Sequence, residues 1–283
     1  MEINLPKTIL SNEIGYTSLI EIYNKCLKTN GSIVFINFQN VVFIEGNLCS
    51  ILGCIIERLK KNNCIIHVIG LKQTVCELIT KNNFLPYHFD FKKINDIYNT
   101  TVMYKNFHKD DSDDEYESYI YNELINKSDF PSMSDNLTIK IIENIFEIFV
   151  NAKTHGKCEY IHCCGQYFPN RSNKPLNFTV VDLGQNIMDN VNLTKNKNFT
   201  ACEAIEWAMI EGNTTKLNEP GGLGLSIIMK FIRHNLGKFE VISSNGYYKF
   251  SEGTIKTLSL KLPFPGTIVN FTFNLNDQNS YYI

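Results

Sequence analysis

Three short stretches of the chain carry residue types that could do chemistry together. In "EIFVNAKTHG" (147–156), Glu147 and Asn151 stand four residues apart, with His155 and Gly156 after them. Leu137, Ile141, Ile145, Ile148, Phe149 and Ala152 recur at helical spacing through the same region, which predicts a helix. Asn144, Glu147 and Asn151 then share one edge of it, at i, i+3 and i+7. "NFTVVDLG" (177–184) reads as a buried strand that ends in Asp182 and Gly184. "GGLGL" (221–225) directly precedes a helical pattern.

Each feature alone has an ordinary explanation. A polar helix edge usually faces solvent, and Asp-x-Gly at a strand end is usually a turn. The glycine cluster lacks the spacing and the preceding strand of a dinucleotide fingerprint. In combination they suit a nucleotide. Glycines before a helix let backbone N–H groups approach phosphates. An Asp at a strand end accepts from an exocyclic amine, which favours adenine over guanine. An Asn oxygen suits a magnesium ion that keeps most of its waters. A Glu one turn earlier can orient or deprotonate an attacking oxygen.

His155, Cys158, His162, Cys163 and Cys164 form a second candidate cluster, for zinc. Zinc needs ligands that converge, commonly from turns. "CEYIHCCGQ" reads as a strand, which sends neighbouring side chains to opposite faces. Thiols that fill apolar space are the better reading.

These residues need a scaffold, and 283 residues suffice for one large domain or two ordinary ones. The chain is 43% hydrophobic and 20% charged, with a net charge of −2. That balance is globular and gives no electrostatic reason to bind nucleic acid or an anionic membrane. No apolar run is long enough to span a bilayer, and "MEINLPKTIL" lacks the layout of a signal peptide. A cytoplasmic location is expected, with the nine cysteines reduced.

In the first half, "GSIVFINFQNVVFI" (31–44) predicts two short strands and "NLCSILGCIIERLKKNN" (47–63) a helix. "CIIHVIGL" (64–71) predicts a strand covered on both faces, and "KQTVCELITKNN" another helix. Strand–helix alternation means an α/β layer. The acidic "HKDDSDDEYES" (108–118) is a solvated linker or the exposed start of a helix, and a domain boundary belongs near it. Domains are expected at 1–107 and 134–283, joined by 108–133. In the second half, strands are expected at 158–167 and 177–184, a helix near 199–211, and two closing strands, "KTLSLKLPF" and "TIVNFTFNL".

Residues 134–275 resemble the GHKL ATP-binding superfamily, which includes sensor histidine kinases, gyrase- and MutL-type ATPases and bacterial anti-sigma serine kinases. "EIFVNAKTH" is similar to its N box, "DLGQNI" to its first glycine box and "GGLGL" to its second. Thr267 matches the last-strand Thr that supports the adenine-binding Asp. The resemblance implies a Bergerat-type α/β sandwich, with a mixed sheet on one side and helices on the other. It implies that Asn151 holds magnesium, that Glu147 is the general base and that Asp182 reads adenine. Gly222, Leu223 and Gly224 would wrap the phosphates of ATP, and Gly184, Ile187, Gly221, Leu225 and Thr267 would also belong to the ATP site. Residues 188–220 would form the ATP lid, with Lys153 and His155 as further candidates for phosphate or lid contact. Glu147 matches the hydrolysing and serine-phosphorylating branches; a typical histidine kinase carries an amide there. Two departures stand out: Asn186 and Pro220 replace box glycines. Asn tolerates positive φ, whereas Pro removes a backbone donor.

Residues of about 30–100 resemble the STAS fold of anti-sigma-factor antagonists. In phospho-switched members an Asp-Ser pair opens the first helix; here Glu45-Gly46 stands there, without a hydroxyl. The expectation is a STAS–GHKL regulator that binds Mg-ATP, hydrolyses it slowly and changes its interaction with a protein partner encoded nearby. The alternatives are a serine/threonine kinase of the anti-sigma type and a module that binds without turnover. A homodimer is compatible with all three.

Overall fold

The computed structural model describes residues 1–154, 156–213, 215 and 225–282. Its first half contains β1 (Glu2–Asn4), β2 (Thr8–Ile9), α1 (Glu13–Cys26), β3 (Ile33–Asn37), β4 (Phe43–Ile44), α2 (Cys49–Lys61), β5 (Ile65–Ile69), α3 (Gln73–Lys81) and α4 (Phe84–His88). Parallel neighbours need crossovers rather than hairpins. Here α1 and α2 supply them, giving a parallel sheet of order β1-β3-β5. Both helices pack on one face, where Ile3, Val34 and Ile36 meet Leu19, Ile20, Ile51 and Leu52 in a common core. Among the described residues the other face is bare. Ile65 is 61% exposed and Ile33 52%. The covering of β5 on both faces, expected from its unbroken apolar run, is therefore not found among the described residues.

The second half contains β6 (Thr101–His108), α5 (Asp113–Tyr119), β7 (Ser132–Met133), α6 (Asp135–Thr154), β8 (Tyr160–Tyr167), β9 (Pro175–Asp182), α7 (Ile187–Lys195), α8 (Ala201–Ala208), α9 (Ser226–His234), β10 (Lys238–Ser251), β11 (Thr254–Asn274) and β12 (Ser280–Tyr281). Five strands form a sheet of order β10-β11-β9-β8-β6. The α/β class is as expected, but every pairing in this sheet is antiparallel, not mixed. The two closing strands are one, β11, and its partner β10 was not expected. Strand β6 pairs with β8, so the division expected at 107 runs through a strand, and the change of sheet falls between β5 and β6. The acidic stretch is the start of a helix: Ser112 Oγ caps α5 by accepting from Glu115 N at 3.2 Å. Tyr116 and Tyr119, behind the acids, are buried.

Alternation along the strands divides the five-stranded sheet between two cores. Ile161, Cys163, Phe178, Val180 and Phe271 face α5, α6 and α9, where Tyr116 stacks on Phe149 with centroids 4.3 Å apart. Cys164, Val181, Ile242 and Ile268 face the first half and join its core. The first half therefore lies on the back of this sheet. Polar pairs cross that junction. Asn47 Nδ2 is 2.8 Å from both Ser11 Oγ and Thr179 Oγ1. Glu45 accepts from Arg171 at 2.7 Å, and the Gly46 N–H donates to Gln166 Oε1 at 2.6 Å. Glu240 accepts from Tyr16 at 3.1 Å, Tyr247 at 2.5 Å and Asn270 at 3.0 Å, and pairs with Lys238 at 2.8 Å. Among the described residues no helix is long and apolar enough to cross a membrane.

Candidate functional site

The site grows from α6, whose apolar stripe is buried while its polar edge is turned along the helix face of the sheet. Asn144, on that edge, is buried, and its Oδ1 accepts from Ile228 N at 2.8 Å. Ile228 lies in the first turn of α9, so one side chain fixes the start of α9 against α6. Glu147 and Asn151 are half-buried and lie about 4.5 and 10.5 Å further along the same helix. Leu225, immediately before α9, packs at the margin of the helix-side core.

The far end of α6 meets the end of β9. Gly156 N donates to Asn151 O at 3.0 Å, and Gln185 N donates to Gly156 O at 2.6 Å. The helix end is thereby stitched to the turn after Asp182. That turn closes on itself, since Gly184 N donates to Asp182 Oδ1 at 2.7 Å. The approach is too close for a side chain: a Cβ on Gly184 would lie 2.2 Å from Gly156 O, and one on Gly266 2.2 Å from Asp182 O. Thr267 is the register partner of Asp182 across β11 and β9. Asp182 is 6% exposed. Burial pushes its carboxyl up from the ordinary 3.8 to about 7, against the opposing pull of the Gly184 and Thr267 N–H groups.

Ser243, Gly156 and Gly266 also belong to this constellation and were not expected from sequence. Ser243 is fully buried at a register shift in β10. Its Oγ accepts from Ile187 N at 2.9 Å and lies 3.0 Å from Thr267 Oγ1 and 3.1 Å from Gly266 O. Only the strand pairing brings it to Thr267. Gly156 could have been found, because it stands one residue beyond the box residues.

Of the expected residues, the structure gathers Asn151, Asp182, Gly184, Thr267 and Ile187 around these contacts, with Glu147 on the same helix edge. Lys153 is turned elsewhere: its Nζ lies 3.2 Å from Asp113 of α5 and 5.1 Å over the Phe149 ring. His155, Pro220, Gly221, Gly222, Leu223 and Gly224 lie outside the described residues. In the expected lid segment, 188–213 is largely helix. Asn186 is not at positive φ; it is the N-cap of α7, at φ −70°, and accepts from Asp189 N at 2.9 Å. Helix α8 opens with a capping box between Thr200 and Glu203 and packs on the β10–β11 hairpin.

The histidine–cysteine cluster is divided by the strand. His162 faces the first half, with Nδ1 2.8 Å from Tyr104 Oη and Nε2 2.6 Å from Glu57 Oε2. Cys163 faces the helices, 3.9 Å from Tyr116 Oη, and Cys164 faces back toward Gly46 O at 3.1 Å. Among the described residues no three His, Cys, Asp or Glu side chains gather to hold a metal ion.

The arrangement offers a buried acceptor carboxylate at a strand end, a helix edge bearing an amide and a second carboxylate, and a helix start pinned beside them. No protein-family model and no curated protein matches the chain. Among solved structures it is similar to the histidine kinase domain of the Erythrobacter litoralis EL346 blue-light activated histidine kinase. The identity is 12% over 93% of this chain and 94% of that chain, with a TM-score of 0.25. Similarity at that level carries no argument about the site.

Proposed function

We propose that the second half binds Mg-ATP in the GHKL manner and that the protein is a nucleotide-dependent regulator of a protein partner. The observation that carries this reading is Asp182. It is a nearly buried carboxylate with no apolar role, oriented by the Gly184 and Thr267 N–H groups and set beside the end of the Asn151 helix. A buried carboxylate needs hydrogen-bond donors to offset its lost hydration, and the exocyclic amine of adenine is a suitable donor beside the two N–H groups already present. Asn151 would hold magnesium. A single amide oxygen fits an ion that keeps most of its own waters, and the ion would neutralise phosphate charge. Glu147, one turn earlier, would position or deprotonate the attacking oxygen, giving slow hydrolysis that resets the switch. The first half, seated on the back of the sheet that carries Asp182 and Thr267, would present the surface that the partner reads.

The test is ATP titration of the full chain by calorimetry, with and without magnesium, beside Asn151→Ala. Wild type should bind ATP and prefer it to GTP, and Asn151→Ala should lose the magnesium-dependent part of the affinity. An Asn151→Ala protein that binds Mg-ATP like wild type ends the reading. Transfer of phosphate to a partner instead of water would move the function from regulator to protein kinase, with the same residues in the same roles.

A further inference from the structure

The three contacts of Ser243 constrain where its one proton can go. A serine hydroxyl has one hydrogen to donate and two lone pairs to accept with. Ile187 N–H, at 2.9 Å, can only donate, so it occupies one lone pair. Gly266 O, at 3.1 Å, can only accept, so it takes the Ser243 proton. The remaining neighbour, Thr267 Oγ1 at 3.0 Å, must then donate to the second lone pair of Ser243. The opposite orientation, Ser243 donating to Thr267, would leave the contact to Gly266 O without a hydrogen. Only the first arrangement satisfies all three at once, and Ser243 is fully buried, where a lost hydrogen bond is costly.

The consequence lies one residue away. With its proton committed to Ser243, Thr267 has only lone pairs left to offer a ligand. Its register partner Asp182, when ionised, is also an acceptor only. Two adjacent acceptors without a donor suit a group with two hydrogens to give. We propose that Ser243 is a positioning residue that fixes Thr267 as an acceptor, so that the Asp182–Thr267 pair selects a base bearing a primary amine. The inference rests on the nucleotide reading of this pocket and adds to it the residue that sets the preference for the amine. It also links that preference to the first turn of α7, because Ile187 N–H holds Ser243 in place.

The experiment compares ATP with purine riboside 5′-triphosphate, which has the same ring without the amine. Both are titrated by calorimetry with magnesium at pH 8 into the full chain. Wild type should favour ATP by about thirtyfold, the equivalent of roughly one charge-assisted and one weaker neutral hydrogen bond. Ser243→Ala should compress that ratio to about tenfold, the share left to Asp182, mainly by weakening ATP, and Ser243→Thr should restore it. Thr267→Val, which removes the hydroxyl at nearly constant volume, should compress the ratio equally. Adding Ser243→Ala to it should then change nothing, because the two act through one proton. A merely structural serine would weaken both ligands alike; that result, or an unchanged ratio in Ser243→Ala or Thr267→Val, overturns the proposal. The nucleotide reading survives either outcome, since ATP still binds. If wild type binds neither ligand, both fall together.

Discussion

The two faces of the five-stranded sheet are sealed by different means. Toward α5, α6 and α9 the contacts are aromatic and aliphatic, and polar groups collect at one end, where the buried Asp182 and Ser243 meet the half-buried Thr267. Toward the first half, apolar side chains alternate with polar nodes along the junction: Glu45, Asn47, Glu57 and Glu240 each find partners across or within it. One face thus gathers its polar groups at a single end. The other spreads its polar groups along the junction and pairs most of them internally, with Asn47 Oδ1 left buried and unpartnered among the described residues. Nodes of this second kind fix a docking register, because sliding the first half by one residue would strand several of them. The three-stranded sheet supplies a third case, an apolar outer face that no other described residue covers.

Substitutions should separate these three surfaces. The largest effect is expected on the helix face. Glu147→Gln should leave ATP bound while single-turnover phosphate release falls by about two to four orders of magnitude; an unchanged rate would remove its role as base. On the opposite face, Glu240→Ala would strand Tyr16, Tyr247, Asn270 and Lys238. Urea unfolding should register a loss of about 3–5 kcal/mol, with the ATP affinity of the folded fraction unaltered. A variant as stable as wild type would mean that the junction holds by apolar contact alone.

Asp182→Asn should weaken ATP by about 1–3 kcal/mol and yet stabilise the unliganded protein at high pH. The carboxyl is raised from 3.8 to about 7 by burial. A raised group contributes its stability below its unfolded value and loses it as pH rises through the folded one. Wild type should therefore lose stability between about pH 4 and pH 7 relative to the variant. Melting curves that stay parallel across that range would contradict the burial cost. The smallest effect belongs to the bare face, where Ile65→Thr should change stability by under about 0.5 kcal/mol; a larger loss would reveal a contact that covers β5.

How much of this was legible in the sequence differs by element. Asp182, Gly184 and the Asn151 edge were readable because each sits in a local pattern, a strand run ending in a turn or a helix with one polar line. Ser243 was not, because its role depends on a register shift in β10 and on pairing with Thr267, 24 residues on. The bare face of β5 was misread for a related reason. "CIIHVIGL" is apolar at almost every position, so period 2 is hidden, and only the placement of α1 and α2 on one side decides which residues are covered. The acidic 108–118 stretch shows the reverse: its charges mark a first turn at Asp113–Glu115, while the tyrosines that anchor it come just after.

The same long-range pairing bears on how the chain is made. Tyr16 bonds Glu240, and Asn47 reaches Asn270, across separations of 224 and 223 residues. The core of the first half also includes Ile242, Tyr247, Leu260, Phe264 and Ile268. During synthesis the first half leaves the ribosome long before those residues exist, and its helices must wait with one side unpaired. Contacts of such separation slow folding, because the intervening loop must close before they form. Until then the exposed surface is open to chaperones and to self-association. Chains stalled before about residue 240 should therefore be protease-sensitive along α1 and α2, and completion of β11 should protect both ends of the molecule in a single late step.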